Sequence, residues 1–268
     1  MRLLRSLGRS LVSHRPKALG LALGGGAARG IAHIGAIKVL QEEDIPIAAV
    51  AGTSIGSIIG AMYCAGMSWE EMWELSQEIT WGELLRPSFS GLGLVKTDRM
   101  EEILTDRLGN ISFEDLLIPL TAVAVDIVNA SPILLQTGPV AQAVRASSSV
   151  PGIFEPLRDG ERVLVDGGVV DNLPARVVRE MGAEAVLAID LNKESSDGRI
   201  PRNLLDVMSQ TFAVLIWNTS RLGRESADIL LQPEIAHIGY HELSCARELF
   251  DAGEQAMRKA LPALKALA

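Results

Sequence analysis

The sequence predicts an α/β fold in which helices cover both faces of a parallel sheet. From Ala18 onwards, short apolar runs alternate with helical stretches: ALGLALG, IAHIGAIKVLQEE, IAAVA and SIGSIIGAMYCAG follow one another as strand, helix, strand and helix. The strand candidates are apolar throughout, which is typical of parallel strands buried on both faces. With 268 residues and 48% hydrophobic content, the chain is able to bury one large core. We expect a single α/β domain over residues 18–268.

The later elements follow the same alternation, with one interruption. Residues 68–108 form a helical insertion that carries Trp69, Trp73 and Trp81. Their helical spacing favours packing in the core, and contact with a membrane interface is the alternative. After it, PLTAVAVDIV and PILLQTG, separated by the turn NASP, predict a β-hairpin at the edge of the sheet. The alternation then resumes with helix PVAQAVRASSS, strand RVLVDGG, helix PARVVREMG, strand AVLAIDLN, a long helix from about Leu204, strand DILLQP and a helix from about Glu242.

Residues 1–17, MRLLRSLGRSLVSHRPK, form a basic N-terminal arm. They carry five Lys and Arg residues, and no acid appears before Glu42, although the whole chain has a net charge of -8. Leu4, Leu7 and Leu11 recur at helical spacing beside arginines, so one interpretation is a short cationic helix on an anionic membrane surface. The alternative interpretation is a solvated chain terminus.

The sequence predicts no secretory signal and no membrane-spanning segment. Arginines interrupt the apolar core that a signal would need, and no later segment reaches the roughly 18 apolar residues of a spanning helix. The two cysteines, Cys64 and Cys245, form no close pair and no metal-ligand cluster with the four histidines. We expect a cytoplasmic protein without a disulfide framework, metal site or nucleic-acid partner, at most peripheral to the inner face of the membrane through its arm.

The stretch AVAGTSIGSIIGA, residues 49–61, places Ser54 between Gly52 and Gly56 where a strand gives way to a helix. A serine hydroxyl becomes a nucleophile only when its geometry is forced and its proton has an acceptor. A tight turn between glycines presents the hydroxyl at the positive end of the following helix, where negative charge is favoured. The pattern therefore predicts a nucleophile elbow, with an ordinary tight turn as the alternative.

A glycine-rich loop, LALGGGAARG, follows the first strand directly. The N–H groups of Gly24, Gly25 and Gly26 are placed to converge on an anion at the start of the next helix, as stabilisation of an oxyanion requires. A nucleotide-phosphate loop is the competing interpretation, but neither G-x-x-x-x-G-K-[ST] nor G-x-G-x-x-G is present. A turn that only permits close packing is the structural alternative.

Asp166 ends the strand of RVLVDGG and precedes Gly167 and Gly168, which allow close approach to its carboxyl. Because the carboxyl ends of parallel strands line one edge of a sheet, we expect Asp166, Ser54 and the glycine loop to meet there. Burial raises the pKa of a carboxyl from about 4 towards that of a useful base. Asp166 is therefore the candidate general base, and Asp171 is the second choice.

Four segments together resemble the patatin-like phospholipases, in particular their bacterial members: LALGGGAARGIAHIGAIKVLQE, VAGTSIGSIIGA, VRASSSVPGIFEP and VDGGVVDNLP, in that order. The resemblance runs from about Leu19 to Leu191 and implies a three-layer α/β/α fold. It also implies a Ser–Asp dyad, with Ser54 as nucleophile and Asp166 as general base, and no cofactor.

The same resemblance implies an oxyanion loop, mapped onto Gly25, Gly26, Ala27, Arg29 and Gly30. The family usually has glycine at the position of Ala27. If that position needs a positive φ, the methyl group of alanine costs free energy.

Other polar residues are weaker candidates for catalysis. His237 and His241 lie in a stretch that enters the last helix, and His33 is expected to be a packing residue on the first helix. The three serines at 147–149 end a helix, where serines usually bond backbone groups, and we interpret them as structural. Asp171 and Asn172 are expected to hold the loop that follows Asp166.

The function predicted from these residues is hydrolysis of a carboxyl ester in a phospholipid or a related acyl ester, through an acyl-enzyme. A small-ester esterase or thioesterase would use the same residues with a different acyl pocket. A regulatory or interaction module with little activity is the non-enzymatic alternative.

Overall fold

The fold is known from a computed structural model that describes residues 18–80, 82, 86–192 and 200–267. The basic arm at 1–17 and Trp81 lie outside the described residues.

Within the described residues, eight strands form one sheet and two short strands form a separate ribbon. The strands are β1 (Leu19–Leu23), β2 (Ala49–Thr53), β3 (Arg86–Pro87), β4 (Val95–Lys96), β5 (Leu120–Asp126), β6 (Ser131–Leu135), β7 (Leu157–Asp159), β8 (Arg162–Asp166), β9 (Ala185–Ile189) and β10 (Ile229–Leu231). Following hydrogen-bonded pairs, the large sheet runs β10-β9-β1-β2-β5-β8-β7; β2 and β8 pair with successive parts of β5, and β6 also pairs with β5. Strands β3 and β4 form the ribbon.

The helices alternate with these strands as expected. They are α1 (Ile31–Glu42), α2 (Ile55–Cys64), α3 (Trp69–Glu78), α4 (Asp98–Leu108), α5 (Val140–Ser147), α6 (Ala175–Glu180), α7 (Leu204–Thr219), α8 (Arg221–Ser226) and α9 (Ala246–Leu267). Short 3-10 turns occur at Ala27–Gly30, Phe113–Asp115, Gly167–Val169 and Leu243–Cys245. Helix α9 runs on through Pro262, so this proline does not end it.

Side chains on β1 alternate between two layers of helices. Leu19, Leu21 and Leu23 belong to the larger core, which is built with residues of α1, α2 and α9. On the opposite face, a Cβ added to Gly20 would lie 2.0 Å from Cγ1 of Val178, so α6 packs directly on the backbone there. Helices on both faces of a mostly parallel sheet confirm the three-layer α/β/α prediction.

Strand β5 divides the parallel part of the sheet from an antiparallel part. Strands β10, β9, β1 and β2 are parallel to one another, and β2 is parallel to β5. The predicted hairpin is confirmed, because β6 pairs antiparallel with β5. The expectation that β8 runs parallel to its neighbours is wrong: β8 is antiparallel to β5 and forms a second, unpredicted hairpin with β7.

The insertion at 68–108 begins with a well-capped helix. The Ser68 hydroxyl accepts from the Glu71 N–H, and the Glu71 carboxylate accepts from the Ser68 N–H at 2.8 Å, which together form a capping box. Trp69 and Trp73 of α3 lie against Phe250 of α9, with ring centroids 5.8 and 4.7 Å from it. These two tryptophans therefore join the insertion to the main core.

None of the helices in the described part of the chain combines the length and the apolar character needed to cross a membrane.

Candidate active site

The turn from β2 to α2 holds Ser54 in a strained conformation. Its φ is 55° and its ψ is -128°, a region that residues with a side chain rarely adopt. Gly52 and Gly56 are required because neighbouring backbone lies too close to each of them to leave room for a side chain. A Cβ on Gly52 would lie 2.4 Å from the Gly56 carbonyl oxygen, and one on Gly56 would lie 2.1 Å from the Leu23 carbonyl oxygen. The elbow is therefore locked between β1 and the first turn of α2.

Ser147 fixes the backbone of the elbow from the side. Its hydroxyl donates to the Val123 carbonyl at 2.6 Å and accepts from the Ser54 N–H at 3.0 Å. Ser147 is fully buried at the end of α5. These bonds support the interpretation of residues 147–149 as structural. One of them holds the backbone N–H of Ser54, the candidate nucleophile.

Asp166 approaches Ser54 along one edge of β5. Thr53, the last residue of β2, pairs with Val123, and Asp166, the last residue of β8, pairs with Ala124. Strands β2 and β8 occupy the same edge of β5 because β6 pairs with the other edge over both of these positions. Since the two strands run in opposite directions, their carboxyl ends meet.

The carboxyl group of Asp166 is completely buried. Its Oδ1 accepts from the Gly168 N–H at 2.7 Å, and its Oδ2 has no hydrogen-bond partner among the described residues. Burial raises the pKa of Asp166 to about 7, while the nearby Ser54 hydroxyl and the Gly168 N–H act in the opposite direction. The carboxyl is thus titratable near neutral pH, with one oxygen open to a donor.

The glycine loop lies against the elbow and is held by side chains that bond its carbonyls. A Cβ added to Gly25 would lie 3.2 Å from Cβ of Ser54. His33 bonds the Gly24 carbonyl through Nε2 at 2.8 Å, and Asn192 Nδ2 donates to the Gly25 carbonyl at 2.7 Å. In a trans peptide the N–H points away from the carbonyl of the same unit, so anchoring the Gly25 carbonyl aims the Gly26 N–H the opposite way.

The N–H groups of this loop differ in what they bond. The Gly25 N–H donates to the Asn172 carbonyl and the Arg29 N–H donates to the Gly26 carbonyl, both at 3.1 Å. The N–H groups of Gly26 and Ala27 have no acceptor within the described residues. Among the N–H groups of the loop whose bonds are known, those of Gly26 and Ala27 are therefore the free donors.

Ala27 has a φ of 48°, so the position does have the left-handed conformation that favours glycine. Its neighbours in the loop are buried, whereas Ala27 itself is exposed. The methyl group therefore imposes backbone strain on the loop without filling any space in the core.

Arg29 and Gly30 have packing roles in the loop. The buried Arg29 guanidinium donates to the Ile238 carbonyl at 2.8 Å and lies over the ring of Tyr240 at 4.1 Å. A Cβ on Gly30 would lie 2.0 Å from Cγ1 of Ile55. The arginine side chain thus binds the loop to the segment before α9.

The segment after Asp166 connects all three parts of the site. The Thr53 hydroxyl donates to the Asp171 carbonyl at 2.8 Å, and the Asn172 carbonyl accepts the Gly25 N–H. A Cβ on Gly167 would lie 2.3 Å from the Val123 carbonyl oxygen, so the chain passes too close to β5 for a side chain. Residues 167–172 therefore hold the elbow and the glycine loop to the end of β8.

The other titratable candidates are placed differently. Burial raises the pKa of Asp171 to about 6, while the Leu173 N–H and Arg176 act in the opposite direction. His33 is fully buried, and burial lowers its pKa to about 4, so it is neutral at physiological pH. His237 is exposed and bonds Glu248 at 2.7 Å. His33 therefore supports the glycine loop, and His237 lies at the surface.

No group of three or more His, Cys, Asp or Glu side chains in the described residues is arranged to hold a metal ion.

A sequence model of the family described as "patatin-like phospholipase" matches residues 21–179, which include the glycine loop, the elbow and Asp166. The chain belongs to the patatin-like phospholipase family. The resemblance found in the sequence is thereby confirmed.

Curated relatives agree with this family. An uncharacterized NTE family protein of Mycobacterium tuberculosis is 37% identical over 175 residues, which are 64% of this chain and 48% of that protein. Neuropathy target esterase sws of Drosophila melanogaster is 36% identical over 66% of this chain and 13% of its own length. Lysophospholipase NTE1 of Yarrowia lipolytica is 32% identical over 75% of this chain and 14% of its own length. The chain spans about half the length of the mycobacterial relative and a smaller part of the others.

Solved structures show the same fold. VipD from Legionella pneumophila superimposes with a TM-score of 0.62 at 16% identity, covering 91% of this chain and 67% of VipD. The type III effector protein ExoU gives a TM-score of 0.53 at 14% identity, covering 93% of this chain and 53% of ExoU. The fold of this chain is therefore shared with these two proteins.

Three residues of this patatin-like site bond the backbone of the glycine loop or of the elbow, and only Ser147 was expected from the sequence to bond backbone groups. His33, Asn192 and Ser147 bond the carbonyls or N–H groups of residues 24, 25 and 54. Asn192 follows the apolar run of β9, so a polar side chain at a strand end was the available signal. His33 carries no local pattern that separates it from ordinary helix residues, and the contact of Ser147 with the Ser54 N–H depends on the tertiary structure.

Proposed function

We propose that this patatin-like protein is a serine lipid acyl hydrolase that cleaves carboxyl esters of phospholipids or related acyl esters. The observation that carries the proposal is the end-to-end approach of β2 and β8, which brings a strained, partly exposed Ser54 beside the buried Asp166 carboxyl. The names of two relatives, a lysophospholipase and an esterase, support the same reaction class.

In the proposed reaction, Asp166 takes the proton of the Ser54 hydroxyl as its oxygen attacks the ester carbonyl. The negative charge that develops on the carbonyl oxygen is stabilised by the Gly26 and Ala27 N–H groups and by the N-terminal end of α2. Collapse of the intermediate breaks the ester bond, and Asp166 returns the proton to the leaving alkoxide. Water then cleaves the acyl group from Ser54 by the same steps in reverse order.

A dyad without histidine is chemically sufficient because the carboxyl is already a moderate base. The pKa of Asp166 near 7 matches the range in which proton transfer is efficient at neutral pH. Catalytic hydrogen bonds are often long before substrate binds, so the free Oδ2 is consistent with a contact to Ser54 that tightens in the complex. These steps use only side chains and backbone of this chain.

Fatty-acid release from mixed phospholipid vesicles tests the proposal, with wild type beside Ser54→Ala and Asp166→Asn and a fluorophosphonate probe on each protein. We expect release and labelling by the wild type, and neither release nor labelling by Ser54→Ala. Ser76→Ala and Asp251→Asn, which change the same residue types on α3 and α9, are the matched controls and should keep wild-type activity.

Three results separate this proposal from its alternatives. Full activity in Ser54→Ala would overturn the mechanism. Labelling of Ser54 with turnover of short monomeric esters but not of vesicles would favour a small-ester esterase or thioesterase. Absence of both labelling and turnover in the wild type would favour an interaction module on this fold.

A further inference from the structure

Asn172 has a buried polar atom that the proposed chemistry has not used. Its side chain is 1% exposed, and its Oδ1 has no hydrogen-bond partner among the described residues. A buried acceptor without a donor costs free energy, and such atoms in native proteins usually bond an ordered water. A water bonded to Asn172 Oδ1 has a role in catalysis only if this oxygen lies close to Ser54 and Asp166.

The orientation of the Asn172 amide is set by its neighbours. The Ser220 hydroxyl donates to the Ile216 carbonyl at 2.8 Å, so its oxygen accepts, and Asn172 Nδ2 donates to it at 3.0 Å. The second hydrogen of Nδ2 points to the Gly25 carbonyl at 3.4 Å. Since both neighbours are acceptors, the NH2 group faces them and Oδ1 faces the other side.

That other side lies between the nucleophile and the base. A Cβ on Gly25 would lie 2.4 Å from Asn172 Oδ1 and 3.2 Å from Cβ of Ser54. A Cβ on Gly168 would lie 3.2 Å from the same Oδ1 and 3.0 Å from Asp166 Oδ1. Asn172 Oδ1 therefore lies close to two glycines: Gly25, whose backbone is beside Ser54, and Gly168, whose backbone is beside Asp166.

The Asn172 amide oxygen and the Asp166 carboxyl thus both border the backbone of Gly168, and each has an acceptor without a donor among the described residues, Asn172 Oδ1 and Asp166 Oδ2. A water molecule is the small ligand that supplies two hydrogens to two acceptors and keeps lone pairs on its oxygen. With both hydrogens engaged, those lone pairs are directed to the remaining side, where the acyl group would be attached to Ser54.

We propose that Asn172 positions the water that hydrolyses the acyl-enzyme, by accepting one of its hydrogens while Asp166 accepts the other. This inference rests on the proposed function. The water oxygen forms a bond to the acyl carbon as its proton moves to Asp166. The tetrahedral intermediate then breaks its bond to Ser54 Oγ, which recovers the proton from Asp166, and the carboxylic acid leaves.

The inference predicts a selective defect. Formation of the acyl-enzyme needs Ser54, Asp166 and the loop N–H groups but no water, so loss of the Asn172 oxygen should slow only the second half of the reaction. Loss of one hydrogen bond to a reacting group typically slows a step by roughly 10- to 100-fold. The acyl-enzyme should then accumulate.

Pre-steady-state kinetics with a p-nitrophenyl acyl ester measure the two halves of the reaction separately in the whole 268-residue chain. Asn172→Ala also removes the Nδ2 contact to the Gly25 carbonyl, so we expect a p-nitrophenol burst of about one equivalent that is slowed much less than the steady state. The steady-state rate should fall by roughly 10- to 100-fold, with an acyl adduct on Ser54 in the intact mass. Asn172→Asp keeps an acceptor at this position and should not accumulate the adduct. If Asn172→Ala does not fold, Asn172→Ser replaces it in the same assay.

Ser220→Ala is the control for a purely structural role, because it removes the partner of Nδ2 and leaves Oδ1 in place. We expect its burst and steady-state rates to change by the same factor. An equal loss of both phases in Asn172→Ala, or an unchanged steady state without an adduct, would overturn the role of Asn172. A wild type that shows neither a burst nor fluorophosphonate labelling would instead overturn the proposed function.

Discussion

Ser54 follows the last residue of β2 and Asp166 is the last residue of β8, two strands whose carboxyl ends meet along one edge of β5. Their neighbours on β5 are consecutive, Val123 beside Thr53 and Ala124 beside Asp166. The approach depends on β8 running against the parallel strands, because a parallel β8 on that edge would direct its carboxyl end away from β2. The antiparallel direction of β8 thus brings the Asp166 carboxyl to the Ser54 elbow, with no histidine between them.

The activity is expected to rise with pH as Asp166 ionises. A general base must be deprotonated, and the pKa of Asp166 is about 7, so kcat/KM should increase through about pH 7 and then level off. The check is kcat/KM from pH 5 to 9 with a non-ionising ester. Asp171→Asn, which removes the other buried carboxyl with a raised pKa, should keep the inflection. A profile that is flat across pH 7 would contradict the role of Asp166.

Asp166→Asn is expected to stabilise the fold at alkaline pH. The pKa is about 7 in the folded protein against an ordinary value of 3.8, so the folded state binds the proton more tightly. The wild type therefore loses stability as pH rises from about 4 to about 7, and the amide variant does not. Thermal melts should show a higher Tm for Asp166→Asn at pH 8 and a difference that disappears near pH 4. A lower Tm at pH 8 would be the opposite result.

Ser54→Gly and Ser54→Ala should differ in stability although both are inactive. Glycine adopts the φ of 55° at this position without strain, whereas the Cβ of alanine makes this backbone conformation unfavourable, as that of serine does. Relief of a positive φ is worth on the order of 1 kcal/mol, so Ser54→Gly should unfold at higher urea concentration than Ser54→Ala. Equal midpoints for the two variants would mean that the elbow stores no such strain.

Ala27→Gly is expected to stabilise the loop by about 1 kcal/mol, since its φ of 48° favours glycine. The N–H group is retained, so ester hydrolysis should equal that of the wild type or exceed it. Ala28→Gly is the matched control: this buried neighbour has no positive φ, and the change should destabilise by about 0.5 to 1 kcal/mol. Urea unfolding of both variants measures the difference, and a loss of stability in Ala27→Gly would contradict the expectation.

Asn192→Ala should lower kcat by roughly tenfold with little change in KM. Its Nδ2 anchors the Gly25 carbonyl at 2.7 Å, and without that anchor the Gly26 N–H is no longer aimed at the developing oxyanion. Tyr240→Phe removes the hydroxyl that donates to Asn192 Oδ1 at 2.9 Å but leaves the bond to Gly25, so its effect on kcat should be smaller. A raised KM with unchanged kcat would point to substrate binding instead.

The sequence by itself determined the α/β class, the family and the positions of the elbow, the glycine loop and Asp166. Those features are local: apolar runs, glycines at turns and a serine between a strand and a helix are readable within about ten residues. The tertiary structure alone decided the direction of β8, the free N–H groups at Gly26 and Ala27, and the side chains of His33, Asn192 and Asn172 that bond the loop. These depend on contacts between residues far apart in the chain, and no local pattern of residues encodes which backbone group a distant side chain will reach.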